Sequence, residues 1–301
     1  MGNGHHHHHS AREAGAAHDH AGHDHGGGET DEAAMAELLD LDAEVLHAYL
    51  SEVTGWVCEL AGRRPPQRIL DLGSGTGTGA LALAQRFEGA EVIAVDMSAY
   101  LLGRLRDKAD ALGLAGRIRT VEADLDAEWP AIGPVDLAWA SSSLHHMADP
   151  DRVLTEVFAT MNSGGLLVVA ELDSFPRFLP DDAGPGDPGL ETRGHAALDR
   201  IRADELPHMG SDWGSRLSKA GFTIEAERTF AIHLTPPLPA ATGRYAQASL
   251  RRLRSGLEGQ LSDGDLAALD TMIGDEGPES LLRRDDLTVR ATRTVWAARR
   301  S

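Results

Sequence analysis

The sequence predicts a doubly wound α/β protein, a mostly parallel sheet with helices on both faces. Three observations predict it. Strand and helix patterns alternate between residues 68 and 170. A turn with glycine at every second position, Gly73-Ser-Gly75-Thr-Gly77, joins the first strand to the next helix. Near the end, Leu287, Val289, Ala291, Val295 and Ala297 alternate with polar or larger residues, the period of an antiparallel strand.

The elements follow in order. Residues 1–28 form a separate tail, read as disordered because nothing in it builds a core. Nine of the 15 histidines lie there, in His5–His9, His18-Asp-His20 and His23-Asp-His25, ahead of Gly26–Gly28. The first run has the form of a short affinity tag, and the His-Asp repeats read as native. Imidazole clusters bind Zn, Ni or Cu, but no metal site on rigid elements is expected. Residues 29–64 read as a helical cap. Met35, Leu38, Leu39, Val45, Leu46, Tyr49, Leu50, Val53, Trp56, Val57 and Leu60 recur at helical spacing, with Asp40 and Asp42 expected to divide two helices. Gly62 and Pro65-Pro66 end the second.

The main domain is expected over 65–301. Strands are expected at 68–72, 91–95, 117–121, 135–139 and 166–170, with helices at 78–87, 98–112 and 150–161 between them. Four prolines make 174–190 a long loop. Helices near 190–205 and 211–220 precede a sixth strand at 222–227, so one insertion lies near 174–210. Pro236, Pro237 and Pro239 open a second, near 236–286, with helices at 240–257 and 263–273. Ser262 and Asp265 make a capping box for the latter.

Composition narrows the class. The chain has 301 residues, 42% hydrophobic and 25% charged, which is ordinary globular composition. Its formal charge is −19, which argues against nucleic acid or an anionic membrane as partner. Cys58 is the single cysteine, so no internal disulfide forms. No apolar run approaches the ~18 residues of a membrane span, and the polar start lacks the apolar core of a secretory signal. The expectation is a soluble cytoplasmic protein.

The glycine turn stands at the carboxyl end of the first strand, the edge where open α/β sheets bind ligands. Two ligand classes compete. Gly75-x-Gly77-x-x-Ala80, with Asp96 21 residues past Gly75, fits a loose dinucleotide pattern and a nicotinamide-dependent oxidoreductase. However, Asp71 at the strand end would repel a pyrophosphate and favour an ammonium group. Asp96 ends the second strand, where it can accept both ribose hydroxyls, and Asp124 follows the third, where it can accept from an adenine amino group. Three acids at three successive strand ends suit a nucleoside joined to a cationic amino acid, with no phosphate. S-adenosylmethionine fits.

In these residues the chain resembles the class I S-adenosylmethionine-dependent methyltransferases. The resemblance covers about residues 65–175. It rests on Leu70-Asp-Leu-Gly-Ser-Gly-Thr-Gly77, Val92-Ile-Ala-Val-Asp96-Met-Ser, Glu122-Ala-Asp124-Leu, and the segment from Val135-Asp136 through Leu144-His-His-Met to Pro150. It implies a Rossmann-like seven-stranded sheet, mostly parallel with an antiparallel last strand, and helices capping an acceptor pocket. By the same resemblance Gly73, Ser74, Gly75 and Gly77 wrap the methionine part. Asp71 binds its amino group, Asp96 holds the ribose and Met97 packs on the adenine. Asp124 and Leu125 sit at the adenine edge, with Ser141 nearby.

The implied activity is methyl transfer to a small-molecule acceptor, at oxygen or carbon more than nitrogen. Such an in-line displacement needs alignment and exclusion of water, and a base only where the acceptor keeps its proton. His145 and His146, just past the fourth strand, are the candidate bases; capping or packing is their alternative role. Ala140-Ser-Ser-Ser stands where methylases of planar nitrogens carry Asn/Asp-Pro-Pro-Tyr. Tyr49, Trp56, His195, His208 and Trp213 are candidates for the pocket wall or the core. Arg251, Arg252 and Arg254 form either a solvated face or an anchor for an anionic acceptor. Besides the oxidoreductase, the alternative is a metal-handling or scaffold protein. A homodimer is compatible with all of these readings.

Overall fold

The computed structural model describes residue 1 and residues 25–301. The expected disorder of the tail, with His5–His9, His18, His20 and His23, lies outside the described residues. Two helices come first, α1 (His25–Val45) and α2 (His47–Ala61). Then β1 (Arg68–Leu72), α3 (Thr78–Arg86), β2 (Glu91–Asp96), α4 (Ala99–Ala111), β3 (Ile118–Glu122) and β4 (Val135–Ser141) alternate. A single 3-10 turn, Leu144–His146, leads to α5 (Pro150–Thr160) and β5 (Met161–Arg177). Next come α6 (Leu190–Glu205), α7 (Trp213–Lys219), β6 (Phe222–Leu234), α8 (Thr242–Ser255), α9 (Asp263–Ile273) and β7 (Val289–Arg300).

The seven strands form one sheet in the order β3-β2-β1-β4-β5-β7-β6. The first five are parallel, and β7 inserts antiparallel between β5 and β6. This is the Rossmann-like seven-stranded arrangement. Alternation along each strand separates two cores. Ile69, Leu137, Trp139 and Val168 face one side, against α2, α3, α4 and α8. Leu70, Leu72, Ala138 and Val169 face the other, against α5 and α7. Both faces are apolar because helices cover both, as a parallel sheet requires.

Three boundaries differ from the sequence reading, each because tertiary partners decide them. The break between the first helices falls at Leu46, not at Asp40 or Asp42, and α1 already begins at His25, inside the stretch 1–28 read as a disordered tail. Neither carboxylate breaks the helix, because both reach outward. Asp40 accepts from Thr76 Oγ1 (2.7 Å), Arg104 Nη2 (2.9 Å) and Lys108. Asp42 Oδ1 accepts from Tyr245 Oη (2.5 Å) and Arg293 Nη2 (2.6 Å). Second, β5 runs on through Pro176 to Arg177, so the loop after it is shorter than 174–190. The ladder with β7 continues to the pair Arg177–Arg290, with irregularities where the sequence breaks period. Third, β6 extends to Leu234 because β7 pairs with it along its whole length. The Ser262 cap forms as expected, its Oγ accepting from Asp265 N–H at 3.1 Å.

Asp42 and Arg293 tie the helical cap to the inserted strand. Arg293 is 7% exposed, and its guanidinium also lies 5.0 Å from the Tyr49 ring centroid. Removing one partner of such a pair leaves the other charge buried and uncompensated. Asp42→Ala is therefore expected to cost about 3 kcal/mol or more, and Asp42→Asn, which keeps an acceptor oxygen, clearly less. Denaturant unfolding of the two variants beside the parent protein checks this, and equal losses would contradict it.

Candidate active site

β1 delivers the chain to a turn that only glycine can make at three places. Gly73, Gly75 and Gly77 have φ of +62°, +53° and +86°. Space is closed as well: a Cβ on Gly77 would lie 2.0 Å from Leu105 Cδ1, and one on Gly73 2.6 Å from Ser143 Cβ. The end of β2 fastens the turn. Ser74 N–H donates to Val95 O (3.0 Å), and Gly75 N–H donates to Asp96 Oδ2 (2.8 Å). Asp96 Oδ1 accepts from Ser98 N–H (2.9 Å). Each carboxylate oxygen keeps a further lone pair, so Asp96 can shape the turn and still accept from two hydroxyls.

Asp71 is 2% exposed, and its Oδ2 has no hydrogen-bond partner. In the β1–β4 ladder it stands beside Trp139, whose buried Nε1 also has none. The two converge on Gly79, the second residue of α3. A Cβ there would lie 2.6 Å from Trp139 Nε1 and 3.0 Å from Asp71 Oδ2. Ser74 Oγ is a third buried polar atom without a partner. Burial pushes the Asp71 carboxyl up to about 7; an Ala80 N–H opposes this, and the charge of Asp96 adds to it. A cationic donor against Asp71 meets this demand, as the amino group of S-adenosylmethionine does. The residues present fit that group. Trp139 is a partner that the motifs did not single out, placed by the strand register; Gly79, a small residue opening α3, is where the close packing demands one.

The other half of the site is open. A depression of about 450 Å³ lies at the ends of β2 and β3, lined by Met97, Glu122, Ala123, Asp124, Ala127 and Glu128. Met97 is 70% exposed, a large apolar side chain available to a ligand's ring. Asp124 is exposed, with Oδ1 accepting from Asp126 N–H (2.9 Å). Leu125 differs from expectation. Its side chain is 4% exposed and packs in the core with Leu70 and Ile93, in the turn that follows β3, while Asp124 stays exposed.

β4 ends at the half-buried Ser141. Ser142 follows with φ +53°, the one non-glycine residue at positive φ among the described residues. Ser143 Oγ then donates to Leu72 O (2.8 Å), tying this segment to the end of β1. Glu171 of β5 holds the two residues that follow: Oε1 accepts from Leu144 N–H (3.0 Å), and Oε2 lies 2.5 Å from His145 Nδ1. Both partners of the second contact are buried. His145 is thus anchored inside the fold, whereas His146 is exposed, its ring centroid 4.1 Å from that of His145. Packing around the His146 ring, then the nearby charges of His145, Arg252 and Arg202, hold it below the usual imidazole range. Glu171 carries no motif; its role follows from the β4–β5 ladder.

The remaining candidates separate. Tyr49 packs edge-on to Phe230 (5.4 Å), and Trp213 lies in the core. Trp56 is half-buried against the same core as Tyr49. His195 is 6% exposed, with Nε2 4.0 Å from Glu191 Oε1; burial, then Arg177 and Arg202, lower it to about 4. His208 Nδ1 lies 3.1 Å from Arg216 Nη2, and its Nε2 3.4 Å from Ala148 O. Arg251 and Arg254 pair with Asp275 and Asp270, each at 2.9 Å.

Residues 69–165 match the family model described as a methyltransferase domain. A demethylmenaquinone methyltransferase of Thermus thermophilus is 38% identical over 119 residues, 40% of this chain and 53% of that protein. A malonyl-[acyl-carrier protein] O-methyltransferase of Laribacter hongkongensis is 37% identical over 115 residues, 36% of this chain and 39% of that protein. The chain spans about half the length of the relatives it matches. The solved YcgJ protein of Bacillus subtilis shares the fold, with a TM-score of 0.51, 16% identity, and coverage of 85% of this chain and 99% of that one. Residues 69–165 are thus similar to methyltransferase domains, and the chain as a whole shares a Rossmann-like fold with the solved structure.

Asp71 makes a prediction about pH. Its carboxyl lies at 3.8 when unperturbed and at about 7 when buried here. Between those values the folded chain keeps a proton that the unfolded chain has lost. Stability of the ligand-free protein therefore falls as pH rises from about 4 to about 7 and levels above. The shift corresponds to at most roughly 4 kcal/mol. Asp71→Asn is expected to remove this decline, so that the variant melts higher than the parent at pH 8 and near it at pH 4. Parallel melting profiles across pH would contradict the assignment.

Proposed function

We propose that this chain transfers a methyl group from S-adenosylmethionine to a small-molecule acceptor, at oxygen or carbon. The observation that carries the reading is the buried Asp71 carboxyl, whose Oδ2 has no hydrogen-bond partner, beside a turn of three left-handed glycines. It asks for a cation at the point where the backbone admits close approach. When bound, S-adenosylmethionine supplies a sulfonium-activated methyl group open to in-line displacement.

The protein's residues position and enclose. Asp71 and Ser74 take the amino acid part, and Asp96 accepts from the ribose hydroxyls. Met97 and Asp124 meet the base over the depression at β3. Held alignment and exclusion of water supply most of the acceleration in such a transfer. α1 closes one side of the cleft: Leu39 Cδ1 lies 3.0 Å from where a Gly75 Cβ would stand, and Glu32 Oε1 accepts from Ser98 Oγ (2.5 Å). His145, fixed by Glu171, is a positioning residue that sets the segment after β4. His146, exposed beside His145, presents a ring nitrogen that can take a proton from a hydroxyl acceptor, although the packing and nearby charges that lower its pKa make it a weaker base than free imidazole. The relatives support oxygen or carbon as the methylated atom, since an O-methyltransferase and C-methyltransferases are among them.

The acidic charge argues against nucleic acid as partner, and the single cysteine supports a reducing, cytoplasmic setting. No helix among the described residues is long and apolar enough to cross a membrane.

Calorimetric titration with S-adenosylhomocysteine tests the reading, with NADH as comparator. Micromolar binding of S-adenosylhomocysteine alone is expected. Asp96→Ala removes both the Gly75 contact and the ribose acceptors, and is expected to weaken it about a hundredfold or more. Binding of NADH alone, or of neither ligand, would overturn the reading.

A further inference from the structure

We propose that Trp139 is a positioning residue for the cofactor site, whose indole N–H holds the Asp71 carboxylate once that group is ionised. The assignment rests on the methyltransferase reading and names the group that fixes the anion offered to the cofactor's ammonium. It begins with strand register. β1 and β4 are parallel neighbours, and Asp71 pairs with Trp139. The two side chains therefore stand on the same face of the sheet, against the first turn of α3. Both residues are 2% exposed.

Gly79 shows how near the polar ends come. The three atoms nearest the place its Cβ would occupy are Trp139 Nε1 at 2.6 Å, Trp139 Cδ1 at 2.9 Å and Asp71 Oδ2 at 3.0 Å. Gly79 lies inside α3, so its conformation does not ask for glycine, and alanine makes the better helix. Space asks for it, because a side chain would crowd both the indole N–H and the carboxyl. The choice of tryptophan carries a second signal. A buried indole N–H normally finds an acceptor, yet Nε1 and Oδ2 are both buried without a partner. A phenylalanine would fill the same wall and bring no donor to it.

The charge state of the ligand-free protein explains why two such atoms face each other unbonded. Burial keeps the Asp71 carboxyl protonated up to about 7, with the Ala80 N–H of α3 opposing and the charge of Asp96 on β2 adding. Oδ2 is the oxygen with no donor, so the proton sits there. It then presents an O–H to an indole that is a donor only, and neither satisfies the other. Ionisation releases that proton to solvent and leaves Oδ2 an acceptor. The indole N–H can then make a charge-assisted hydrogen bond to it. An ammonium group arriving at the glycine turn favours the same ionised form. Trp139 and the cofactor thus stabilise one state of Asp71 together.

The test follows the indole N–H resonances of the nitrogen-15-labelled full chain, without ligand, from about pH 6 to about pH 8.5. One of them is expected to shift downfield as Asp71 ionises, and to stay still in Asp71→Asn. Calorimetric titration with S-adenosylhomocysteine over the same range is the second arm. Affinity of the parent is expected to fall as pH drops through that midpoint, because the ammonium needs the anion. Loss of a donor to the charged form disfavours ionisation, so Trp139→Phe is expected to move the midpoint up by about one unit. Its affinity is then about tenfold below the parent's at the acid end and close to it at the alkaline end. A tryptophan that only fills space would lower affinity equally at both ends. An indole spectrum that ignores pH in the parent, or a Trp139→Phe profile parallel to the parent's, overturns the assignment and leaves the methyltransferase reading standing. Should Trp139→Phe not fold, the resonance decides alone. If S-adenosylhomocysteine binds at no pH, the methyltransferase reading falls and the positioning role with it.

Discussion

The ligand end of the sheet depends on one constraint, the left-handed backbone of residues 73–77. The turn brings β1 to α3 with no side chain at three positions, and neighbouring elements use the space. Leu105 of α4 packs against Gly77, Ser143 after β4 against Gly73, and Leu39 of α1 against Gly75. A substituent at any of these would strain the backbone and displace a different element. Asp96 completes the arrangement by spending one hydrogen bond on the turn and one on the start of α4. The local conformation of five residues thus sets the relation of three strand ends.

Around that turn the fold keeps polar groups buried and without partners. Asp71, Trp139 and Ser74 together leave an acceptor, a donor and a hydroxyl unmatched in one place. Each such group costs on the order of 1–3 kcal/mol when unpaired. Dense packing elsewhere along β1 and β4 carries that cost. Binding a ligand that satisfies these atoms recovers it, and here stability and recognition are the same free energy seen from two sides. Across the sheet end the pattern reverses: the His145–Glu171 contact is satisfied and buried, and it fixes the segment from which His146 reaches outward.

The helical cap is attached by charge. α1 presents Asp40 to Thr76, Arg104 and Lys108, and Asp42 to Tyr245 and Arg293. These contacts join the first helix to the glycine turn, to α4, to α8 and to β7, segments up to 251 residues apart in sequence. In a chain of net charge −19, pairing acids with the available cations also limits self-repulsion.

The sequence by itself determined what depends on neighbours along the chain. Strand–helix alternation, the glycine spacing, the acids at strand ends and the period of residues 287–297 all report local geometry, and the sheet, the turn and the antiparallel last strand follow from them. Tertiary structure decided what depends on distant partners. It carried α1 past Asp40 and Asp42, because their carboxylates bond outward instead of capping a helix. It lengthened β5 and β6, because β7 offered a ladder that their own sequences did not advertise. It placed Trp139 beside Asp71 and Glu171 beside His145 through strand register, which no single segment encodes. It also turned Leu125 into the core, and it told Arg252 apart from Arg251 and Arg254. All three are the same residue on one helix, and only the acids of other elements determine which of them remains unpaired.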